Sequence, residues 1–336
     1  MRRLLCLTLF FPLGTLLALR AGAALTGLSG ISAFASGAGP VLVVATLAIG
    51  FSLTSFLLGA VTGDYSWVDR LWSTAPVAFA WVYAARAEYA PGAVLAAVLV
   101  TLWGLRLTYN FARRGGYTRM EDYRWPILRT RITNPVLWQL FNLLFISGFQ
   151  VLLFVLFTLP VYRLGELGSI PPGVAIASAV VFLGFLSYET IADQQQWLFQ
   201  SIKHGRTRPP VAPGWFRRDE SARCSGLDAD LRRGFLTHGL FRFSRHPNYF
   251  GELGVWWTIY LLAAVQAGAF VLRSGIGAVL LTALFIGSTA FTESISSSRY
   301  PSYGEYRRRT PAIVPWIPGA PADSETRAAA ADGRSG

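Results

Sequence analysis

Read for hydrophobic and polar positions, the chain is a series of long apolar runs broken by short polar intervals. The runs fall at 4–19, 40–61, 71–87, 92–112, 136–162, 172–199, 250–267 and 270–292. Several reach the roughly 20 residues that a helix needs to cross a hydrocarbon core. The pattern predicts an all-α, polytopic bundle of about eight transmembrane helices, a seven-helix core plus one N-terminal helix. Residues 1–39 then form that first helix and a linker, 40–318 the membrane domain, and 319–336, small, polar and aperiodic, a disordered tail. The opening MRR, the apolar LLCLTLFFPLGTLLAL and the small residues after Arg20 also have the outline of a signal peptide. A retained helix is the expectation.

Composition sharpens this picture. The 336 residues are 53% hydrophobic and 14% charged, too few polar side chains to cover a soluble globule of that size. A net charge of +12 would suggest nucleic acid in a soluble protein, but here the basic residues gather between apolar runs. The intervals at 113–135 and 200–249 are arginine-rich and share a side with both termini, whereas the opposite loops carry Arg20, Arg86, Arg163 and Arg273. Positive loops stay inside, so both termini and the large loops are expected in the cytoplasm, in a multi-pass bacterial inner-membrane protein. Membrane lipids are the expected partners; nucleic acid and a protein partner are not. The loop at 205–226 reads as irregular. Cys6 and Cys224 offer neither a disulfide framework nor metal-ligand spacing.

Ionisable residues at membrane depth are costly, and four groups of them stand out. Glu189 and Asp193, four apart near the end of the sixth run, share a helix face that suits ribose hydroxyls or an amide-bearing ring, unless the helix is simply emerging into water. In SRHPNYFGE, Pro247 can start a helix with Arg245 and His246 beside its positive end, while Asn248, Tyr249 and Glu252 lie in the first turn or so. Gly251 lets a ligand or another helix approach closely. Glu293 precedes Arg299, Tyr303, Tyr306 and Arg307-Arg308-Arg309, a pattern suiting an amphipathic helix that binds either anionic lipid or a cofactor phosphate. The last group comprises Asp64, Asp69 and Arg70, with Arg106, Tyr109 and Asn110 in the fourth run; Asp69 is the candidate partner for Arg106.

With GLFRFSR before SRHPNYFGE and RYPSYGEYRRRTPAIVPWIP after the next run, the chain resembles the steroid 5-alpha-reductase-like membrane family, most of all a bacterial branch grouped with it that carries a domain of unknown function. DRLWS, LWGLRLTYNFARRGG, EDYRW and ETIADQQQWLF share the likeness, which runs from about 40 to 318. The resemblance implies that the C-terminal helices and cytoplasmic loops bind NADPH. It also implies that a lipophilic substrate enters from the bilayer, and that a hydride passes to a double bond conjugated to a carbonyl, as in a 3-oxosteroid or another enone. Asp193, Asn248 and Glu252 match cofactor-contacting residues of that family, and Glu189, Arg245, His246, Tyr249, Arg299, Tyr303 and Tyr306 complete the expected cofactor set. Asp69, Arg106 and Tyr109 are the expected catalytic set, and no metal is expected. The chain departs from the reductases in carrying Glu189 for asparagine and Trp103 for the tyrosine that polarises the ketone. The alternative is an S-adenosylmethionine-dependent lipid or isoprenylcysteine-type methyltransferase, which the chain also resembles through its RHP-x-Y-x-G stretch and Glu293. A non-enzymatic transporter or scaffold is the third reading, and no repeated halves support it.

Overall fold

The computed structural model describes residues 2–27, 30, 37–118, 121–205, 227 and 229–317, with side chains from residue 11 onward. The tail expected at 319–336, the linker at 31–36, Cys224 and most of the loop at 205–226 lie outside the described residues. Among those described, every regular element is helical: α1 (Arg2–Leu25), α2 (Pro40–Thr62), α3 (Ala75–Arg86), α4 (Pro91–Arg113), α5 (Arg124–Arg131), α6 (Pro135–Phe141), α7 (Gln150–Leu167), α8 (Pro172–Lys203), α9 (Pro247–Gln266), α10 (Ile276–Arg299) and α11 (Tyr303–Arg309). A 3₁₀ turn at Val68–Leu71 precedes α3, and a π-helical stretch at Asn142–Phe149 joins α6 to α7 without a break. α2, α4, α6, α8 and α9 each begin on proline, whose missing N–H is no loss in a first helical turn. Asn134 caps α6 by accepting from the N–H of Val136 at 2.9 Å and Leu137 at 3.2 Å. Gly63 closes α2 at φ 68, returning its N–H to Gly59 O.

Among the described residues, five helical stretches are long and apolar enough to cross a membrane: Pro40–Thr62, Pro91–Arg113, Pro135–Leu167, Pro172–Lys203 and Arg273–Arg299. The other three expected spans form helices that do not meet that measure. The described apolar stretch of α1 is Phe11–Leu25, α3 has 12 residues, and α9, at 20 residues, holds Asn248, Glu252 and Gln266. The chain is a multi-pass helical membrane protein.

It divides into two compact units, Met1–Leu183 with Val255–Thr282, and Gly184–Gly254 with Ala283–Gly336. In the first, α1 lies against α2 where glycines permit close approach: a Cβ on Gly50 would fall 2.7 Å from Ala18 Cβ, and one on Gly14 would collide with Thr54. The core is aromatic. Trp103 is fully buried, edge-on to Trp256 at 4.8 Å, and Trp256 packs on Phe157 at 4.0 Å. Trp103 therefore fills the core at the position where the resembled reductases carry tyrosine. The π-helical stretch holds buried Asn142 and Ser147, and just beyond it Gln150 Oε1 accepts from Trp72 Nε1 at 2.6 Å. A widened turn of this kind frequently marks a functional position in a helix.

In the second unit, α8 and α9 cross at Gly251. A Cβ there would lie 2.6 Å from Glu189 Cβ and 3.0 Å from the Glu189 backbone. Gly251 thus serves the approach of another helix. Phe250 packs edge-on against both Phe185 and Tyr188 beside the crossing. The chain after α11 returns as an extended strap along the residues before α9: Arg245 N–H donates to Pro311 O and His246 N–H to Ala312 O, each at 2.9 Å, and Trp316 N–H donates to Phe243 O at 3.0 Å.

Candidate functional site

Three of the four polar groups come together in the second unit. Glu189 meets Gly251 at the start of α9, one turn from Asp193 along α8, and Glu189, Asp193 and Glu252 are all buried. Asn248 and Tyr249 occupy the first turn of α9, half-buried, with the Tyr249 ring between His246 at 5.1 Å and Phe285 at 4.6 Å.

Glu293, near the end of α10, binds three basic side chains. Its carboxylate receives Arg245 Nε at 2.6 Å and Arg245 Nη2 at 3.0 Å, a bidentate fork, and lies 3.2 Å from both His246 Nε2 and Arg307 Nε. Arg245 Nη1 donates to the carbonyls of Arg307 at 3.0 Å and Thr310. The Arg245 guanidinium is thus occupied on every nitrogen, and its work is to pin α11 and the strap to the start of α9. The exposed arginines of these segments are Arg242, Arg299, Arg307 and Arg308. Tyr303 is buried against Phe235, and Tyr306 donates to Phe241 O. Burial, reinforced by the Glu293 charge, pushes the Tyr303 phenol up to about 12, and burial with the neighbouring Tyr303 raises Tyr306 as well. At neutral pH both remain hydrogen-bond donors.

The fourth group lies in the first unit and is organised by the segment EDYRW. Arg70 Nη2 donates to Asp64 Oδ2 at 2.9 Å, and Asp64 Oδ1 accepts from Ser66 N–H. Ser66 Oγ accepts from Asp122 N–H, Trp125 Nε1 donates to Asp69 Oδ2 at 3.2 Å, and Arg124 grips Asp122 through two bonds. The charges acting on Asp69 are therefore Asp122 and Arg124, on the neighbouring loop, where sequence reasoning pairs it with Arg106. Arg106 is half-buried on α4. Tyr109 is 68% exposed with Arg113 over its ring; α4 turns Trp103 and Asn110 inward together, and Tyr109 falls on another side.

Burial, and then repulsion by Asp122, raise the Asp69 carboxyl from 3.8 to about 6, against the opposing pull of Arg124 and hydrogen bonds from Ser66 and Trp125. The sign of the pH dependence follows. Below 3.8 the carboxyl is protonated both folded and unfolded, so it has no effect. Between 3.8 and about 6 the unfolded chain releases the proton that the folded chain keeps, so stability falls as pH rises and levels off above. Asp69→Asn removes that loss, on the order of 2–3 kcal/mol. The variant is expected to melt higher than the parent at pH 7.5 and level with it at pH 4; equal melting at both would contradict the burial of this carboxyl.

An open groove of about 620 Å³ lies in the same unit, lined by Phe11, Thr15, Phe51, Arg70, Thr74 and Tyr117 among others. Of its polar members, Arg70 belongs to the fourth group, while Thr15, Thr74 and Tyr117 were not singled out from the sequence. DRLWS was visible as a motif, but only the fold shows that Arg70, not Asp69, stands in the wall. No group of metal-ligating side chains occurs among the described residues.

A family profile described as "Protein of unknown function (DUF1295)" matches residues 55–310. The chain belongs to the DUF1295 family. The DUF1295 match starts within α2 and takes in every candidate residue of both units. An uncharacterized protein of Schizosaccharomyces pombe, C594.04c, is 34% identical over 284 residues, covering 80% of this DUF1295 chain and 79% of the yeast protein. No solved structure matches the chain.

Proposed function

We propose that the protein is a membrane-embedded, NADPH-dependent reductase of an activated carbon-carbon double bond in a lipophilic, enone-like substrate, a 3-oxosteroid being one such molecule. The observation that carries this reading is the composition of the second unit's site, where buried carboxylates meet an excess of arginine around the start of α9. Ribose hydroxyls and a carboxamide donate hydrogen bonds, which Glu189, Asp193 and Glu252 can accept, with Asn248 beside them. Phosphates call for cations. Arg245 and Arg307 set against Glu293 leave one positive charge, and Arg242, Arg299 and Arg308 add exposed charge on the same segments. Tyr249, Tyr303 and Tyr306 supply aromatic walls and phenol donors. Bound there, NADPH supplies the hydride; the protein supplies orientation, a dry site and a proton for the developing enolate. Of the expected catalytic set, Asp69 keeps its proton up to about pH 6, whereas Tyr109 faces outward.

Adenosylmethionine has no phosphate, so a methyltransferase leaves the arginine surplus without a role. Glu293, the residue that resembles the methyltransferase glutamate, is also committed to Arg245, His246 and Arg307. Grouping of the family with the steroid 5-alpha-reductases favours the same choice, as does a cytoplasmic position for the arginine-rich face, where NADPH is found.

Ligand-dependent melting of the detergent-purified protein tests the reading, because a ligand selective for the folded state must raise the midpoint. NADPH is expected to raise it more than NADH, and adenosylmethionine not at all. Asn248→Ala and Glu252→Ala are expected to lose the NADPH shift while still inserting into membranes. A shift from adenosylmethionine alone, or an undiminished NADPH shift in both variants, would overturn the assignment.

A further inference from the structure

The strap beyond α11 carries large apolar side chains on its outside. Val314 is 63% exposed, Trp316 73% and Ile317 79%, and Phe243, 39% exposed, adjoins them through the bond from Trp316 N–H to its carbonyl. The segment is not a frayed end. Its backbone is tied to Phe243, Arg245 and His246, and Ser244 Oγ donates to Ile313 O at 2.7 Å. Val314 and Trp316, two apart along an extended chain, fall on the same side of it, so the fixed backbone holds them outward together. Residues 318–336 offer nothing to cover them, since they hold no apolar side chain larger than proline. An exposed apolar face that is held in place in this way marks an interaction site.

We propose that this face of the strap lies in the headgroup layer of the bilayer and binds anionic phospholipid, with Trp316 and Ile317 among the upper acyl carbons and Arg242 on a phosphate. Location argues for lipid over a protein partner. Arg245, whose N–H bonds the strap at Pro311, also holds Glu293, near the end of the helical stretch Arg273–Arg299, so the strap stands at the end of a span. That level is where tryptophan is enriched in membrane proteins, its ring amid lipid and its N–H toward water or headgroups. Charge argues for an anionic lipid. The Arg242 guanidinium lies 5.8 Å from the centre of the Phe243 ring, within the patch, and Arg308, also exposed, lies on the short helix that leads into the strap. Basic side chains at the rim of an apolar face are drawn to a negatively charged leaflet. Because the backbone of the strap carries the bonds to Arg245 and His246, lipid on its outside also steadies the start of α9. None of the lipid-facing side chains belongs to the expected cofactor set, so the proposal stands apart from the reductase reading.

The test uses the full-length protein, without nucleotide, in nanodiscs of phosphatidylglycerol and phosphatidylcholine in equal amounts. Benzoylphenylalanine, which cross-links to nearby C–H bonds on illumination, replaces Trp316 in one preparation and Leu57, 58% exposed on the apolar helix α2, in another. Position 57 reports the bulk lipid. Position 316 is expected to capture phospholipid, with a phosphatidylglycerol-to-phosphatidylcholine ratio roughly fivefold above that at position 57, the gain from one arginine at an anionic surface. Arg242→Gln is expected to bring that ratio back to the bulk value. Cross-links from position 316 to another peptide of this chain or to a second copy, without lipid, would overturn the proposal, as would no lipid at 316 where 57 captures it. Equal ratios at the two positions would overturn the anionic preference, and an unchanged ratio in Arg242→Gln would overturn the role of Arg242. Position 316 is exposed and tolerates the probe, so its ratio decides the main point even where the Arg242 variant does not fold.

Discussion

Replacing Glu293 by glutamine is expected to lower the melting temperature by roughly 10 °C, while Arg307→Ala, removing one of its partners, changes it little. The difference lies in burial. Glu293 is 4% exposed, as a side chain, and Arg245 and His246 are nearly as enclosed, at 9% and 12%. With glutamine the Arg245 guanidinium keeps one side-chain oxygen and its two backbone acceptors but loses the compensating charge while staying out of water, a situation that costs about 3–5 kcal/mol. Arg307 is half exposed, so water replaces its ion pair and the loss stays within about 1 kcal/mol. Because Arg245 also holds the Arg307 and Thr310 carbonyls, the strap at 311–313 is expected to loosen in the glutamine variant, seen as faster hydrogen exchange at Arg245 and His246 N–H. A glutamine variant that melts within 2–3 °C of the parent would show that the cluster is not what holds this unit's C-terminal segment.

The second large effect belongs to the Arg70–Asp64 pair. Arg70→Met removes the buried cation paired with the Asp64 carboxylate, whose side chain is 6% exposed, and is expected to cost about 3–5 kcal/mol. Adding Asp64→Asn removes the carboxylate charge while keeping an acceptor for Ser66 N–H, so the double variant is expected to recover most of the loss. Such recovery measures coupling that two independent surface residues would not show. Additive losses in the double variant would mean that Arg70 matters through its packing on Trp67 more than through its charge.

The membrane class and the approximate helix positions were legible because apolar runs and proline starts are local signals. The count was harder. Pro135–Leu167 runs as one 33-residue helical stretch through a π-helical insert that hydropathy does not reveal, whereas α3 stops at 12 residues. In the candidate site, the four-residue spacings of Glu189 with Asp193 and of Asn248 with Glu252 pointed to shared faces, and the fold adds that Gly251 packs on Glu189 where α8 and α9 cross. Pairing across loops was not legible. Arg245 reads in sequence as a phosphate ligand, yet it is committed to Glu293, 48 residues later. Asp69 reads as the partner of Arg106, yet EDYRW supplies its neighbours. Tyr109 shows why proximity in sequence misleads on a helix: it directly precedes buried Asn110, and that one step of rotation turns the phenol outward.

The most direct test of the reductase reading follows the label. Purified protein in nanodiscs is incubated with a neutral-lipid extract and NADPH deuterated at both C4 positions, in parallel with methyl-labelled adenosylmethionine, and the lipids are resolved by mass spectrometry. The account predicts a lipid carbonyl compound that loses one carbon-carbon double bond and gains one deuterium and one solvent hydrogen, only when protein is present. A labelled methyl group transferred to lipid, with no deuterium incorporated anywhere, would contradict it.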